Sequence, residues 1–125
     1  MHSKKARKTI ETAIASLELL LTSLGEEFND AVERLFHLEG RVVVTGMGKS
    51  GIIGKKISAT LASTGTPSFY LHPAEAVHGD LGMITSQDAV LALSSSGETE
   101  EILALLNNLR LRGISLIAIV GASDS

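Results

Sequence analysis

The sequence lacks several features that would point to particular classes of protein. It contains no cysteine, so it can form neither a disulfide framework nor a thiolate site, and we expect a protein of the reducing cytoplasm. Aromatic residues make up only 3% and the formal net charge is -3, so neither a basic surface nor a stacking platform for nucleic acid is present. No apolar run is long enough to cross a bilayer, and the basic amino terminus has no adjoining apolar signal stretch.

The 125 residues suit one domain with one core, and hydrophobic residues make up 44% of them. Residues 1–38 are predicted to be a helical segment, because apolar residues recur there at helical spacing. This spacing marks one face of a long helix, or of two helices that meet near Gly25. We expect the segment to pack on the domain that follows, although pairing with another subunit would bury the same face. The apolar positions are Ile10, Ile14, Leu17, Leu21, Leu24, Phe28, Val32 and Leu35.

Residues 39–125 alternate between strand-like and helix-like patterns, which indicates an α/β fold whose parallel sheet is covered on both faces. The stretch 72–82, rich in histidine, glycine and acids, is predicted to be a loop. The chain ends directly after the fourth predicted strand, where a βαβ pattern normally continues into a covering helix, so we expect a fragment of a longer protein. The predicted elements are strands at 41–45, 68–71, 88–93 and 115–120, and helices at 52–63 and 100–111.

Two loops that contain glycine and serine each follow a predicted strand and precede a predicted helix. The first, residues 46–51, reads Gly-Met-Gly-Lys-Ser-Gly, and the second, residues 94–99, reads Ser-Ser-Ser-Gly-Glu-Thr. Free N–H groups and the positive dipole end of a helix favour a phosphate, and parallel strands bring both loops to one sheet edge. One such serine loop would be a helix cap, but the pair favours a phosphate site. The predicted phosphate-binding residues are Gly48, Ser50, Ser94, Ser96, Gly97 and Thr99.

Two nucleotide-binding motifs fit the first loop less well. Gly46, Gly48 and Gly51 match the dinucleotide fingerprint G-x-G-x-x-G, but the second predicted strand ends in His72-Pro73 rather than in an acidic residue. A P-loop would need its first glycine at position 43, which is Val43. A dinucleotide-binding oxidoreductase is therefore disfavoured, and a P-loop is excluded.

Four stretches together resemble the D-arabinose 5-phosphate isomerases of the sugar isomerase (SIS) domain superfamily. They are residues 46–51, Ala-Ser-Thr-Gly-Thr-Pro at 62–67, His-Pro-Ala-Glu-Ala-Val-His-Gly-Asp-Leu-Gly at 72–82 and Ser-x-Ser-Gly-Glu at 94–98. The resemblance implies a three-layer αβα sandwich with a parallel, flavodoxin-like sheet, of which the chain holds the front part up to the fourth strand. It also implies a homodimer or homotetramer, because neighbouring subunits complete the site in this superfamily.

By resemblance, the protein is an aldose–ketose isomerase. It would interconvert D-ribulose 5-phosphate and D-arabinose 5-phosphate through an enediol and supply the Kdo branch of lipopolysaccharide synthesis. The family draws a further glutamate and histidine from segments beyond the fourth strand, so we expect little turnover from residues 1–125 alone. The main alternative is a non-catalytic SIS sensor that binds a phosphosugar and controls a partner.

The isomerase reaction needs a carboxylate base, a group that stabilises the enediolate, and an acid/base for ring opening. Glu98 and Glu101 are three residues apart at a predicted helix start, where they could also be ordinary first-turn acids. The resemblance makes Glu101 the candidate base, with Glu98 shaping the loop. It places Lys49 in the active site, where it would anchor the phosphate or stabilise the enediolate, and His78 would open or orient the sugar ring.

The sequence does not define a metal site. His72 and His78 are candidate ligands, with Glu75 and Asp80 close by, but two histidines at this spacing without cysteine do not specify a metal. We expect no required cofactor, and His78 is the ligand to test if a divalent metal such as zinc binds.

Overall fold

A computed structural model of the chain describes residues 1–77, 79–95 and 100–121. The chain divides into two compact units, Met1–Arg34 and Leu35–Ser125. Helix α1 (His2–Ser23) forms most of the first unit, and helix α2 (Glu26–Phe36) begins there. No helix in the described part of the chain combines the length and apolarity needed to cross a membrane.

Of the two predicted alternatives, one long helix or two helices that meet near Gly25, the break between α1 and α2 supports the second. Leu24 is extended after the last turn of α1, and the carbonyl of Gly25 then accepts the N–H groups of Phe28 and Asn29. Glu26 and Glu27 occupy the first turn of α2, where their negative charges interact favourably with the positive end of the helix dipole. Neither helix contains a buried residue. Packing of residues 1–38 on the following domain stays a prediction.

The second unit is built on a four-stranded, all-parallel sheet with the strand order β2-β1-β3-β4. This order is that of the first four strands of a flavodoxin-like sheet, and the predicted α/β class is confirmed. A short 3-10 turn, Asp80–Met83, precedes β3. In chain order the other elements are β1 (Val42–Gly46), α3 (Gly48–Ser63), β2 (Ser68–Tyr70), α4 (Pro73–Val77), β3 (Ala89–Ser94), α5 (Glu100–Leu111) and β4 (Ser115–Val120).

Helices cover the sheet on both faces, as the three-layer prediction requires. Val42 and Val44 of β1 point to one face, where Ile57 of α3 packs against them. Val43 points to the other face and shares a cluster with Leu105 of α5. All three valines are fully buried, which explains why β1 is a continuous run of apolar residues rather than an alternating one.

Two of the predicted elements differ from the structure: the start of the helix after β1 and the loop at 72–82. Helix α3 begins at Gly48, four residues before the predicted start, because the N–H of Gly51 already donates to the carbonyl of Met47. The predicted loop 72–82 contains α4 and the 3-10 turn. Pro73 suits the first position of α4, whose next residue Ala74 donates its N–H to Nδ1 of His72 at 3.1 Å.

Hydrogen bonds around Asp88 close the amino-terminal end of the sheet. The buried Asp88 carboxylate accepts the N–H of Arg41 at 2.7 Å and the N–H of Thr85 at 2.8 Å, and the Arg41 guanidinium lies 3.5 Å away. That guanidinium also donates to the carbonyl of Met83 at 2.7 Å. Burial alone would raise the pKa of Asp88, but the donors from Thr85 and Arg41 outweigh it and hold the pKa below the ordinary value of 3.8. We refer to this arrangement as the Asp88 network.

Candidate functional site

The turn between β1 and α3 presents hydrogen-bond donors at the carboxyl end of the sheet. The first hydrogen bond of α3 runs from the N–H of Gly51 to the carbonyl of Met47, so the N–H groups of residues 48–50 have no carbonyl acceptor within the helix. Among the residues that the structure describes, no side chain caps this helix start. Three free amides and the positive end of the helix dipole therefore favour an anion at this turn.

Glycines are required at this turn for two different reasons. Gly48 has φ +58, a left-handed conformation that strains other residues, although a Cβ at this position would meet nothing within 4 Å. A Cβ at Gly51 would lie 2.6 Å from the hydroxyl oxygen of Tyr70 and 2.7 Å from the carbonyl oxygen of Gly46. Gly48 thus permits the turn, and Gly51 permits the first turn of α3 to pack closely against the end of β1.

A cleft of about 360 Å³ opens beside this turn. Three predicted site residues, Lys49, Ser50 and Ser94, lie on its wall. The volume falls within the usual range for small-ligand sites. The lining combines one cation and several hydroxyls with apolar side chains, which suits a phosphate that is attached to a short carbon chain. The remaining lining residues are Ile53, Leu93, Ser95, Ile119, Val120 and Gly121.

The structure brings part of the predicted site together. Gly48, Lys49 and Ser50 form the start of α3, and Ser94 ends β3, the strand beside β1. Glu101 lies exposed in the first turn of α5. The other predicted site residues lie outside the described residues, and their placement stays a prediction: His78, Ser96, Gly97, Glu98 and Thr99.

No metal centre is formed by the part of the chain that the structure describes, since it contains no group of three or more His, Cys, Asp or Glu side chains able to hold an ion. His72 is half-buried, and its Nδ1 accepts the N–H of Ala74 at the start of α4. This hydrogen bond gives His72 a local role in shaping the chain that leads to residue 78.

Sequence reasoning missed Tyr70, which lies against the β1–α3 turn. Its hydroxyl donates to the carbonyl of Gly46 at 2.5 Å, and the Nζ of Lys55 lies 5.4 Å from the centre of its ring. Burial and, next, the negative charge of Glu75 raise the pKa of Tyr70 above its ordinary value of 10.0. The available signal was modest: Tyr70 is the single tyrosine of the chain and ends an apolar strand at the sheet edge where both loops lie.

Comparison with known sequences identifies the family. The family model of the SIS domain matches residues 35–125. Over 125 residues the chain is 56% identical to the arabinose 5-phosphate isomerase KdsD of Pseudomonas aeruginosa, and the match covers all of this chain and 38% of that protein. It is 49% identical over 119 residues to the arabinose 5-phosphate isomerase GutQ of Escherichia coli K12, covering 95% of this chain and 37% of that one. The chain thus spans well under half the length of these curated relatives.

A solved structure shares both the fold and the sequence similarity. The structure of E. coli CFT073 c3406 in complex with a sugar phosphate superposes on the chain with a TM-score of 0.86 and is 46% identical in sequence. The match covers 93% of this chain and 62% of that chain. Because similarity of this degree extends over nearly every described element, the relative folds in the same way as the present chain.

Proposed function

The chain belongs to the SIS domain family, and we propose that it forms the sugar-phosphate-binding part of an isomerase that interconverts D-ribulose 5-phosphate and D-arabinose 5-phosphate. The observation that carries this proposal is the cleft in which Lys49, Ser50 and Ser94 meet beside three free helix amides. The 56% identity to an arabinose 5-phosphate isomerase supports the choice of sugar. In this proposal the product supplies the Kdo branch of lipopolysaccharide synthesis.

Binding of the substrate begins at its phosphate. The N–H groups of residues 48–50 and the hydroxyls of Ser50 and Ser94 supply donors for the phosphate oxygens, and the charge of Lys49 offsets the dianion. The side chains of Ile53 and Leu93 supply an apolar wall for the carbon chain. Ser96, Gly97 and Thr99 complete the phosphate seat in this proposal.

The chemical step is a proton transfer between two neighbouring carbons. The carboxylate of Glu101 removes the proton from C2 of the open-chain aldose, and the electron pair moves through the new C1–C2 double bond onto the C1 oxygen. Lys49 stabilises the resulting enediolate, the proton returns to C1, and the C2 hydroxyl proton passes to the C1 oxygen, which leaves a ketone at C2 and a hydroxyl at C1. His78 opens the sugar ring beforehand, and Glu98 shapes the loop.

Calorimetric titration with arabinose 5-phosphate tests the binding site, after circular dichroism has established that the protein is folded. Lys49→Ala should weaken binding by about tenfold, because it removes a charge-assisted contact to the phosphate. Lys56→Ala is the matched control, since Lys56 is an exposed lysine two turns further along the same helix. Equal affinities of the two variants would contradict the site, and binding of NAD in place of the sugar phosphate would favour the dinucleotide-binding alternative.

Proton exchange separates the enzyme from the non-catalytic sensor. On the full-length gene product, NMR in D₂O should show loss of the C2 proton of arabinose 5-phosphate, and Glu101→Gln should stop this exchange while sparing binding. Glu100→Gln is the control, because Glu100 is exposed in the same first turn of α5. Saturable binding without any exchange by the unmodified protein would establish the sensor instead.

A further inference from the structure

Tyr70 connects strand β2 to the turn that precedes α3. It is the last residue of β2 and pairs with Val44 of β1, yet its hydroxyl reaches two residues further and donates to the carbonyl of Gly46. Gly46 is the last residue of β1, and Gly48 begins α3. The hydrogen bond is therefore made to the peptide group from which the chain turns into the helix.

Two glycines of α3 make room for the ring of Tyr70. A Cβ at Gly51 would lie 2.6 Å from the hydroxyl oxygen, and a Cβ at Gly54 would lie 3.3 Å from Cε1. The ring thus lies against a surface of α3 that carries no side chain at either position. A residue larger than glycine at either position would displace the ring or the helix.

The first turn of α3 also packs against the carbonyl of Gly46. A Cβ at Gly51 would approach the Gly46 oxygen to 2.7 Å, so the helix backbone passes directly beside the acceptor of the tyrosine hydroxyl. The orientation of the Gly46 carbonyl sets the path through Met47 and hence the directions of the N–H groups of residues 48–50. These N–H groups are the ones proposed above to bind the phosphate of the substrate.

We propose that Tyr70 is a positioning residue for phosphate binding, which fixes the Gly46 carbonyl so that the free amides of α3 converge on one anion. The proposal rests on the function proposed above for the same cleft. Because burial and Glu75 raise the pKa of Tyr70 and favour the neutral phenol, the hydroxyl keeps its proton and remains a donor at neutral pH. Tyr70 itself is not among the residues that line the cleft, so it acts through the backbone rather than by touching the ligand.

Tyr70→Phe tests the proposal because it removes the hydroxyl and keeps the ring. The dissociation constant of arabinose 5-phosphate should rise about fivefold, the effect of one lost hydrogen bond on the geometry of the seat. In the full-length protein KM should rise by a similar factor while kcat stays within about twofold, because the substitution changes neither the Glu101 base nor the Lys49 side chain.

Ser68→Ala is the matched control. Ser68 lies on the same strand, and its hydroxyl donates to the carbonyl of Val42 at 2.7 Å, at the opposite end of β1. It should lower stability by at least as much as Tyr70→Phe, since it removes a side-chain hydrogen bond to a β1 carbonyl and also the hydrogen bond to the Ser58 hydroxyl at 2.9 Å. It should leave the affinity for the sugar phosphate unchanged.

The outcomes are distinct. Unchanged affinity of Tyr70→Phe, or an equal loss in Ser68→Ala, would overturn the positioning role while leaving the proposed function intact. Absence of binding by the unmodified protein would overturn both proposals.

NMR gives a second measurement of the positioning role. Inorganic phosphate should shift the amide signals of Gly48, Lys49 and Ser50, and in Tyr70→Phe the same shifts should require about fivefold more phosphate.

Discussion

The two ends of the sheet differ in whether their polar groups have hydrogen-bond partners within the fold. At the amino end, the Asp88 network pairs the buried carboxylate with the N–H groups of Arg41 and Thr85. At the carboxyl end, the N–H groups of residues 48–50 have no acceptor within their helix and face a cleft. The same strands, β1 and β3, join both ends. Paired polar groups hold the fold together at one end, and helix amides without an acceptor in their helix form the proposed phosphate-binding surface at the other.

This difference follows from the topology of the chain. In a parallel sheet with crossover helices, every strand leads at its carboxyl end into the start of a helix, where free N–H groups accumulate. The amino ends of the strands receive the chain from helix ends and turns, whose groups pair locally. The position of the proposed site is thus set by the fold, whereas we expect its specificity to depend on individual residues such as Lys49.

Paired glycine substitutions should give the largest effects and directly test the comparison. A Cβ at Gly40 would clash with the carbonyl oxygen of Gln87, and one at Gly51 would clash with that of Gly46. Gly40→Ala and Gly51→Ala should each lower the free energy of unfolding by about 3 kcal/mol, because backbone must shift in both. Only Gly51→Ala should also weaken arabinose 5-phosphate binding, by about tenfold or more, since it displaces the binding turn.

Chemical denaturation and calorimetry at low temperature measure the two effects separately. Gly82→Ala serves as the control, because a Cβ there meets nothing within 4 Å and φ is not positive. Its stability should change by less than about 0.5 kcal/mol. An equal loss of affinity in Gly40→Ala and Gly51→Ala would remove the distinction between the two ends.

Asp88→Asn should give the next largest effect and act on stability alone. The amide replaces a carboxylate that accepts two backbone N–H groups, so charge-assisted hydrogen bonds are lost and one backbone N–H is left facing an NH₂ group. We expect a loss of about 2 kcal/mol in the free energy of unfolding at pH 7, with unchanged affinity for the sugar phosphate.

The pH dependence identifies the charge as the cause. The pKa of Asp88 is lowered in the folded state, so its contribution is present above about pH 4 and is lost as the pH falls through the folded value. The advantage of the unmodified protein over Asp88→Asn should therefore shrink below about pH 4. A constant difference between about pH 7 and about pH 3 would show that shape rather than charge is responsible.

The sequence was sufficient to predict the strands and α5, because their signals are local. Apolar runs identified the four strands to within one or two residues, and α5 was predicted with its observed bounds, since Gly113, with φ +72, ends the turn that follows it. The start of α3 was misplaced because its glycines resemble a loop in sequence. Gly51 lies in the first turn of α3 beside the hydroxyl of Tyr70, and that contact cannot be read from local propensity.

Features that depend on strand order were not accessible from sequence. Ile119 and Val120 line the cleft because β4 lies beside β3, and Tyr70 reaches Gly46 because β2 lies beside β1. Helix α4 is only five residues long, and such short helices depend on tertiary packing, here through the buried Ala76. Lys49, Ser50 and Ser94 of the two predicted loops line one cleft because all parallel strands point to one edge, and their role in binding stays a prediction.

A substitution at Gly48 strains the backbone without a steric clash, so it should lower the free energy of unfolding less than Gly51→Ala or Asp88→Asn does. Gly48 has open space around it but φ +58, so Gly48→Ala should lower the free energy of unfolding by about 1 kcal/mol through backbone strain alone. Gly48→Asn should lose less, because asparagine tolerates the left-handed region better than alanine does. Denaturation with urea measures both, and identical stabilities of the alanine and asparagine variants would argue against strain as the cause.

Thr45→Val should change stability by about as much as Gly48→Ala, but with the opposite sign. Thr45 is fully buried one residue before the end of β1, and its hydroxyl has no hydrogen-bond partner among the described residues. Valine has the same shape without the desolvated hydroxyl, so the free energy of unfolding should rise by about 1 kcal/mol. Thr45→Ser keeps the hydroxyl and loses the methyl group, and its free energy of unfolding should instead fall by about 1 kcal/mol. A less stable valine variant would mean that this hydroxyl is paired, and that the carboxyl end satisfies its buried polar side chains as fully as the Asp88 network does.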